Sequence, residues 1–152
     1  MRMATPDDID TLVDLMAEFY SEAHFALHRE RAASAFRAIL ADPRLGWIWL
    51  VEKESQLTGY LVATVCFSME YGGNVAFVDD FFIKPAFRGA GLGSSALAEA
   101  RDHCISIGLR GMAVETGYDN SAAQRVYRRA GFEETNRQLL RLGIADPLHA
   151  AG

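Results

Sequence analysis

Few folds let a β run feed straight into Arg88-Gly89-Ala90-Gly91-Leu92-Gly93-Ser94 and then into a helix. Val75 to Lys84 is rich in β-branched and aromatic residues and stops before Pro85, which marks a strand. From Leu92 onward, Ala96, Leu97, Ala100, Cys104 and Ile107 return at helical spacing, and Gly108 supplies a C-cap. Glycines between the two elements let the main chain approach a ligand and aim N–H groups into the turn. Those groups and the helix dipole favour an anion, typically phosphate. Arg88 adds a fixed positive charge of bidentate geometry. The plainer alternative is a glycine-rich turn with no ligand.

The flanking sequence supplies the remaining elements. Met1–Ala4 reads as a short first strand. Thr5 is a candidate N-cap, with Pro6 at the first helical position and Asp8 three residues after the cap. Ile9, Leu12, Val13, Met16, Phe19 and Tyr20 then form one apolar helical face. A second helix is expected over 28–41, stopping before Pro43. Trp47–Val51, Leu57–Met69 and Val75–Lys84 read as three strands of an antiparallel meander, with Gly72-Gly73-Asn74 as a hairpin turn. After the long helix come a strand over Gly111–Thr116, a helix over Asn120–Ala130 closed by Gly131, and a last strand over Phe132–Leu142. The order β-α-α-β-β-β-α-β-α-β is that of a mixed α/β (α+β) domain covering 1–142, with 143–152 as a tail.

Length and charge narrow the function classes. The chain has 152 residues, one domain's worth at ~100–200 residues per domain. A net charge of −5 argues against a nucleic-acid binder that works through a broad basic surface. Residues 1–87 carry 13 acids and 7 bases, and residues 88–152 carry 7 acids and 8 bases. That imbalance leans the first part toward a cationic ligand and leaves the second able to take an anion. No apolar run approaches the ~20 residues of a membrane span, and the N-terminus lacks a signal peptide's apolar core. A cytoplasmic protein without a membrane partner is expected. Cys66 and Cys104 form no metal-ligand spacing, so no metal is expected. Cys104 sits on an apolar helical face, where packing is its expected role, and a free thiol there could mislead a thiol-based assay.

Three phosphate-binding designs use such a turn. A Walker loop requires GxxxxGK[ST], and no lysine lies here. A dinucleotide fingerprint requires GxGxxG, and Ser94 stands where the third glycine belongs. Glu115 lies 22 residues after Gly93, where an acid would meet a ribose, but that fold begins with a parallel βαβ unit and not a meander. The third design is the pyrophosphate loop of acetyl-CoA-dependent N-acetyltransferases, with the core [RQ]xxGx[GA]. Arg88, Gly91 and Gly93 match its fixed positions. Downstream, Asn120, Ala123, Tyr127, Gly131 and Phe132 match the same group's NxxAxxxYxxxGF segment. On these residues Val75–Phe132 resembles the GNAT superfamily. Asp79-Asp80-Phe81-Phe82-Ile83 through Ser94 is most similar to the spermidine/spermine acetyltransferase type.

The resemblance implies a GNAT-type fold whose fourth and fifth strands are parallel and splay beside the glycine turn to admit acetyl-CoA. It implies that the main chain of Phe81, Phe82 and Ile83 pairs with the pantetheine arm and supports the oxyanion. It assigns the pyrophosphate to Arg88, Gly89, Ala90, Gly91, Leu92, Gly93 and Ser94, and a pantetheine contact to Asn120, which also suits a helix N-cap. It makes Tyr127 the general acid for the leaving thiolate, against a purely packing role.

The base is open. Asp79 stands where the spermidine type has a glutamate, one methylene longer, and Glu115 is the alternative. Strict strand alternation sends Asp79 and Asp80 to opposite faces, so only one of them would reach the acceptor. Tyr20, Glu22 and Asp80 are candidate contacts for a cationic amine, against the plainer reading of core aromatics and solvated acids. The implied reaction is acetyl transfer from acetyl-CoA to a primary amine of a small, cationic molecule by direct attack in a ternary complex. Two competitors remain: an NAD-dependent oxidoreductase and a non-catalytic acyl-CoA sensor. Homodimers are frequent in the superfamily, and the last strands or the tail are where an interface would form.

Overall fold

The structure, a computed structural model, describes residues 1–144. Residues 145–152, most of the expected tail, lie outside the described residues. Five strands, β1 (Arg2–Met3), β2 (Gly46–Lys53), β3 (Gln56–Ser68), β4 (Gly73–Ile83) and β5 (Met112–Val114), lie side by side in chain order. Among the described residues four α-helices accompany them: α1 (Ile9–Glu22), α2 (Arg29–Ala41), α3 (Leu92–Ser106) and α4 (Ser121–Arg129). β1 to β4 are antiparallel, and β5 joins β4 in parallel after the α3 crossover.

Local chemistry sets the boundaries. The Thr5 N–H and hydroxyl both donate to the Asp8 carboxylate, at 2.8 and 3.0 Å, and the Asp8 N–H returns to the Thr5 carbonyl at 2.9 Å. This capping box starts a 3-10 turn, Pro6–Asp8, that runs into α1. Glu54 and Ser55 take left-handed φ values of 50° and 64°, the handedness a two-residue turn needs between twisted strands such as β2 and β3.

The sheet separates two apolar layers. On one side α1 and α2 bring Leu12, Leu15 and Phe36 onto Tyr60, Val62 and Phe82. On the other, Leu97, Ala100 and Cys104 of α3 cover Leu61, Ala63 and Val78. Successive residues of β3 thus serve opposite layers, as the period of a strand requires. Cys104 is buried, in keeping with a packing role, and the exposed thiol is that of Cys66. Cys66 is therefore the residue that would disturb a thiol assay. Among the described residues no helix is long and apolar enough to cross a membrane.

The expected last strand, Phe132 to Leu142, does not form. Among the described residues nothing after Arg129 belongs to a helix or strand. β5 offers a ladder of only three residues, and Glu133–Gln138 is an unbroken polar run with no alternating apolar face. The leucines that suggested a strand, Leu139, Leu140 and Leu142, stay largely exposed. Ion pairs tie this segment down instead, Arg137 to Glu70 and Arg141 to Glu115.

Candidate active site

β4 and β5 are paired only over Ala76–Met112, Phe77–Ala113 and Val78–Val114. Beyond Val78 they part, while β4 runs on to Ile83 along β3. The edge of β4 that faces away from β3 is therefore without a strand from Asp79 onward. The parting coincides with a β-bulge. Val62 of β3 lies opposite Asp80 and Ala63 opposite Val78, so Asp79 is the inserted residue.

The bulge shifts the alternation of β4. Ahead of it, Ala76 and Val78 pack toward α3; beyond it, Phe82 packs toward α1 and α2, and Phe81 toward α3. The alternation has slipped by one residue at Asp79. Asp79 and Asp80 both line one cleft at this bulge. This corrects the expectation from strict alternation.

The cleft has a volume of about 930 Å³, toward the upper end of small-molecule sites at roughly 300–1,000 Å³. Tyr20 at the end of α1, Phe36 of α2, the acid pair of β4, and Tyr127 of α4 all line it. Asp79 is exposed and Asp80 only partly so. The Tyr60 hydroxyl, fully buried in the α1/α2 layer, donates to Asp80 Oδ2 at 2.9 Å. Desolvation pushes the Asp80 carboxyl up to about 6; the Tyr60 bond opposes that rise and the neighbouring Asp79 charge adds to it. Burial, helped by the Asp80 and Asp79 charges, raises the Tyr20 phenol to about 12. Its ring meets Phe19 and Phe25 edge-on at 5.7 and 5.6 Å.

Tyr127 is partly buried, which raises its phenol to about 12. Its hydroxyl is bonded to no described residue. The Gly131-Phe132 pair explains how its helix ends. Gly131 takes φ 95°, its N–H reaches the Arg128 carbonyl at 3.1 Å, and the Phe132 N–H reaches the Tyr127 carbonyl at 3.0 Å. The Phe132 ring then closes on the Tyr127 ring at 5.7 Å, and the Phe81 ring lies 6.4 Å away on β4. At the other end of α4, Asn120 accepts from the Ala123 N–H at 3.0 Å, the N-cap role its position suits.

The glycine turn fits a pyrophosphate. Gly89 and Gly91 both adopt φ 81°, and a Cβ on either would meet nothing within 4 Å, so the turn is open to solvent. α3 starts at Leu92, and its first N–H groups have no intrahelical partner. Arg88 is engaged elsewhere. Its Nε donates to the Ile83 carbonyl at 2.7 Å, and Nη1 and Nη2 donate to the Glu22 carboxylate at 2.8 Å each. The guanidinium also lies 5.6 Å from the Phe82 ring centre. Arg88, expected on the cofactor, and Glu22, expected on the acceptor, are thus brought onto each other. The Ile83 carbonyl, expected to pair with the pantetheine arm, is held by Arg88.

Glu115 also reaches the cleft but is ion-paired with Arg141. Sequence reasoning missed both Arg141 and Tyr60. No spacing links Arg141 to Glu115 across the 25 residues between them, and a tyrosine inside the apolar run Leu57–Val65 reads as core. Its one outward signal is the hydroxyl, which a buried tyrosine must satisfy somewhere.

Comparison with known proteins agrees with this architecture. Residues 9–132 match the family model described as the acetyltransferase (GNAT) family. The uncharacterized N-acetyltransferase MJ1207 of Methanocaldococcus jannaschii is 27% identical over 138 residues, 88% of this chain and 60% of that protein. An aminoglycoside N(6')-acetyltransferase type 1 of Salmonella typhimurium is 35% identical over 63 residues, 41% of this chain and 43% of that protein. The chain therefore spans about 60% of the length of the first relative and 43% of the second. Among solved structures, the integron cassette protein HFX_CASS3 from a salt-marsh metagenome superposes with a TM-score of 0.87 at 48% identity, covering 97% of this chain and 91% of that one. The dinucleotide alternative does not survive the sheet, in which, among the described residues, only β4 and β5 run parallel. A family match over residues 9–132 and a sheet that opens beside the glycine turn lead to one assignment: the chain belongs to the GNAT family of acetyltransferases, which draw their acetyl group from acetyl-CoA.

Proposed function

We propose that this protein transfers an acetyl group from acetyl-CoA to a primary amine of a small, cationic molecule, by direct attack in a ternary complex. The observation that carries this reading is a convergence on one cleft. The unpaired β4 edge, the Tyr127 phenol and the Asp79–Asp80 pair meet there, with the open glycine turn beyond them. When bound, acetyl-CoA supplies a thioester carbonyl for attack and a thiolate that leaves.

The residues of this chain divide the remaining work. The outer edge of Phe81 and Phe82 offers main-chain groups to the pantetheine arm and an N–H to the oxyanion. The N–H groups of Gly89 through Ser94 hold the pyrophosphate at the start of α3. Tyr127 stays protonated at neutral pH and gives its proton to the departing sulfur. At the opposite end, Tyr20 and the two carboxylates hold a cationic amine by ring face and charge. The similarity to an aminoglycoside acetyltransferase supports a polar, multiply charged acceptor.

Thermal unfolding with acetyl-CoA, CoA and NAD in parallel tests the donor. A free concentration of 100 Kd stabilises by ~2.7 kcal/mol, roughly 5–11 °C for a domain of this size. A shift with NAD alone would overturn the reading. An amine panel scored by CoA release in the Cys66→Ser background then tests transfer. A donor-binding protein that releases no CoA with any amine is the non-catalytic sensor.

A further inference from the structure

We propose that Asp80 is the proton acceptor for the attacking amine and that Tyr60 is the residue that positions it. This rests on the acetyl-transfer reading above. It moves the base from Asp79, the position favoured by resemblance, to its neighbour.

Geometry separates the two acids. Asp79 is the inserted residue of the bulge and is exposed. Asp80 is the next residue in, opposite Val62, and only partly exposed. Tyr60 is two residues from Val62 on β3 and its own register partner is Phe82, so its hydroxyl reaches Asp80 diagonally across the ladder. The ring of Tyr60 is fully buried between Phe36 and Phe82, which fixes the hydroxyl and through it the carboxylate. With Oδ2 held at 2.9 Å, Asp80 keeps Oδ1 for a ligand. A buried hydroxyl on a single carboxylate that lines the cleft is a built feature, and packing alone would be served as well by phenylalanine.

The groups facing Asp80 decide how it titrates. β3 presents the Tyr60 hydroxyl, and β4 presents Asp79. α1 presents Tyr20 and, at its end, His24 and Glu22, the last neutralised by Arg88. α2 contributes apolar wall through Phe36 and Ile39. The segment after β5 contributes Glu115, paired with Arg141, and Asp119, and α4 contributes Tyr127. The surroundings are dominated by negative charge and apolar wall, both of which favour a protonated Asp80. The carboxyl stands at about 6 instead of 3.8, so each proton it accepts from an ammonium is roughly a hundredfold less unfavourable than for an ordinary aspartate.

One ammonium proton passes to Asp80 Oδ1, freeing the nitrogen lone pair. The N–C bond forms, the C–S bond breaks, and its electron pair leaves on sulfur. Tyr127 protonates the sulfur and is restored by the second proton that the nitrogen loses as the amide forms. Asp80 returns its proton to solvent, the one net proton of the reaction.

The test is a pH profile of kcat/KM by CoA release for wild type, Tyr60→Phe, Asp79→Asn and Asp80→Asn. Tyr60→Phe removes a bond that favours the carboxylate, so the acidic limb moves to higher pH. Asp79→Asn removes a like charge, so the limb moves to lower pH. Asp80→Asn lowers kcat at least a hundredfold and flattens the limb. A purely structural Tyr60 would lower stability and leave the limb in place, which overturns the positioning role. Loss of turnover in Asp79→Asn with retention in Asp80→Asn overturns the assignment of the base. Failure of wild type to release CoA with any amine, despite binding acetyl-CoA, sinks the transfer reading and this proposal with it.

Discussion

Arg88 and Glu22 form a two-pronged ion pair, both Nη–Oε distances 2.8 Å, joining the glycine turn to the last residue of α1. The Arg88 hydrogen bonds hold the Glu22 carboxyl below its ordinary range, against a small desolvation cost. Both side chains are nearly half exposed, so the pair contributes only ~0–1 kcal/mol to folding. Its larger consequence is local: the glycine turn, proposed to hold the donor, and α1, proposed to meet the acceptor, share one contact.

That contact predicts an ordered series in donor affinity. Arg88→Glu sets a second carboxylate against Glu22 and a negative charge beside the pyrophosphate loop. It should weaken acetyl-CoA binding by roughly tenfold or more at low salt. Glu22→Gln keeps Arg88 cationic and should change affinity by less than about threefold, with a stability loss within ~1 kcal/mol. Calorimetric titration with acetyl-CoA checks both. Undiminished affinity in Arg88→Glu would remove this side chain from donor binding.

Tyr127→Phe separates the acid from the packing residue. The ring contacts with Phe81 and Phe132 survive the substitution, so acetyl-CoA should bind within a few-fold of wild type. Loss of the acid should lower kcat by about 10²–10⁴. The phenol stands at about 12, so the wild-type rate should show no alkaline fall from this group below pH 10. Unchanged turnover of Tyr127→Phe across pH would leave Tyr127 as packing alone.

Much of this molecule is legible in its sequence, and the failures are informative. The capping box at Thr5 and Asp8, each strand and turn of the meander, and the glycine turn are local signals, each written within a short run of residues. The bulge at Asp79 is not local. It depends on where β4 pairs with β3, and the run Val75–Ile83 has no polar alternation whose slip would mark it. The last strand fails for a related reason. Leu139, Leu140 and Leu142 resemble strand residues, but a strand needs a partner of matching length, and β5 has three residues. The Arg88–Glu22 pair joins residues 66 apart, beyond the reach of any motif.

Gly131→Ala tests how far the end of α4 controls Tyr127. At φ 95° an alanine is strained, which costs about 1–3 kcal/mol. The strain falls on the cap that joins the Tyr127 carbonyl to the Phe132 N–H. The variant should lose roughly 2–4 °C of melting temperature per kcal/mol. It should also lose kcat more than donor affinity, because the glycine turn lies elsewhere. An equal loss in both would show a global and not a local effect.

Asp80 should also be visible in stability, without any substrate. Its folded carboxyl stands at about 6 and its unfolded one at 3.8, so between those values the folded state binds more protons. Stability therefore falls as pH rises through this window, and the full cost is present above pH 7. The shift corresponds to roughly 3 kcal/mol, and about 2 once water in the open cleft is allowed for. Asp80→Asn keeps an oxygen for the Tyr60 hydroxyl and carries no charge to desolvate. Urea unfolding should find it about 2 kcal/mol more stable than wild type at pH 8, with the advantage shrinking toward pH 4. A variant less stable than wild type at pH 8 would mean that the ionised carboxylate is a structural asset. A site residue that the fold holds at a loss is what a proton acceptor in this cleft should be.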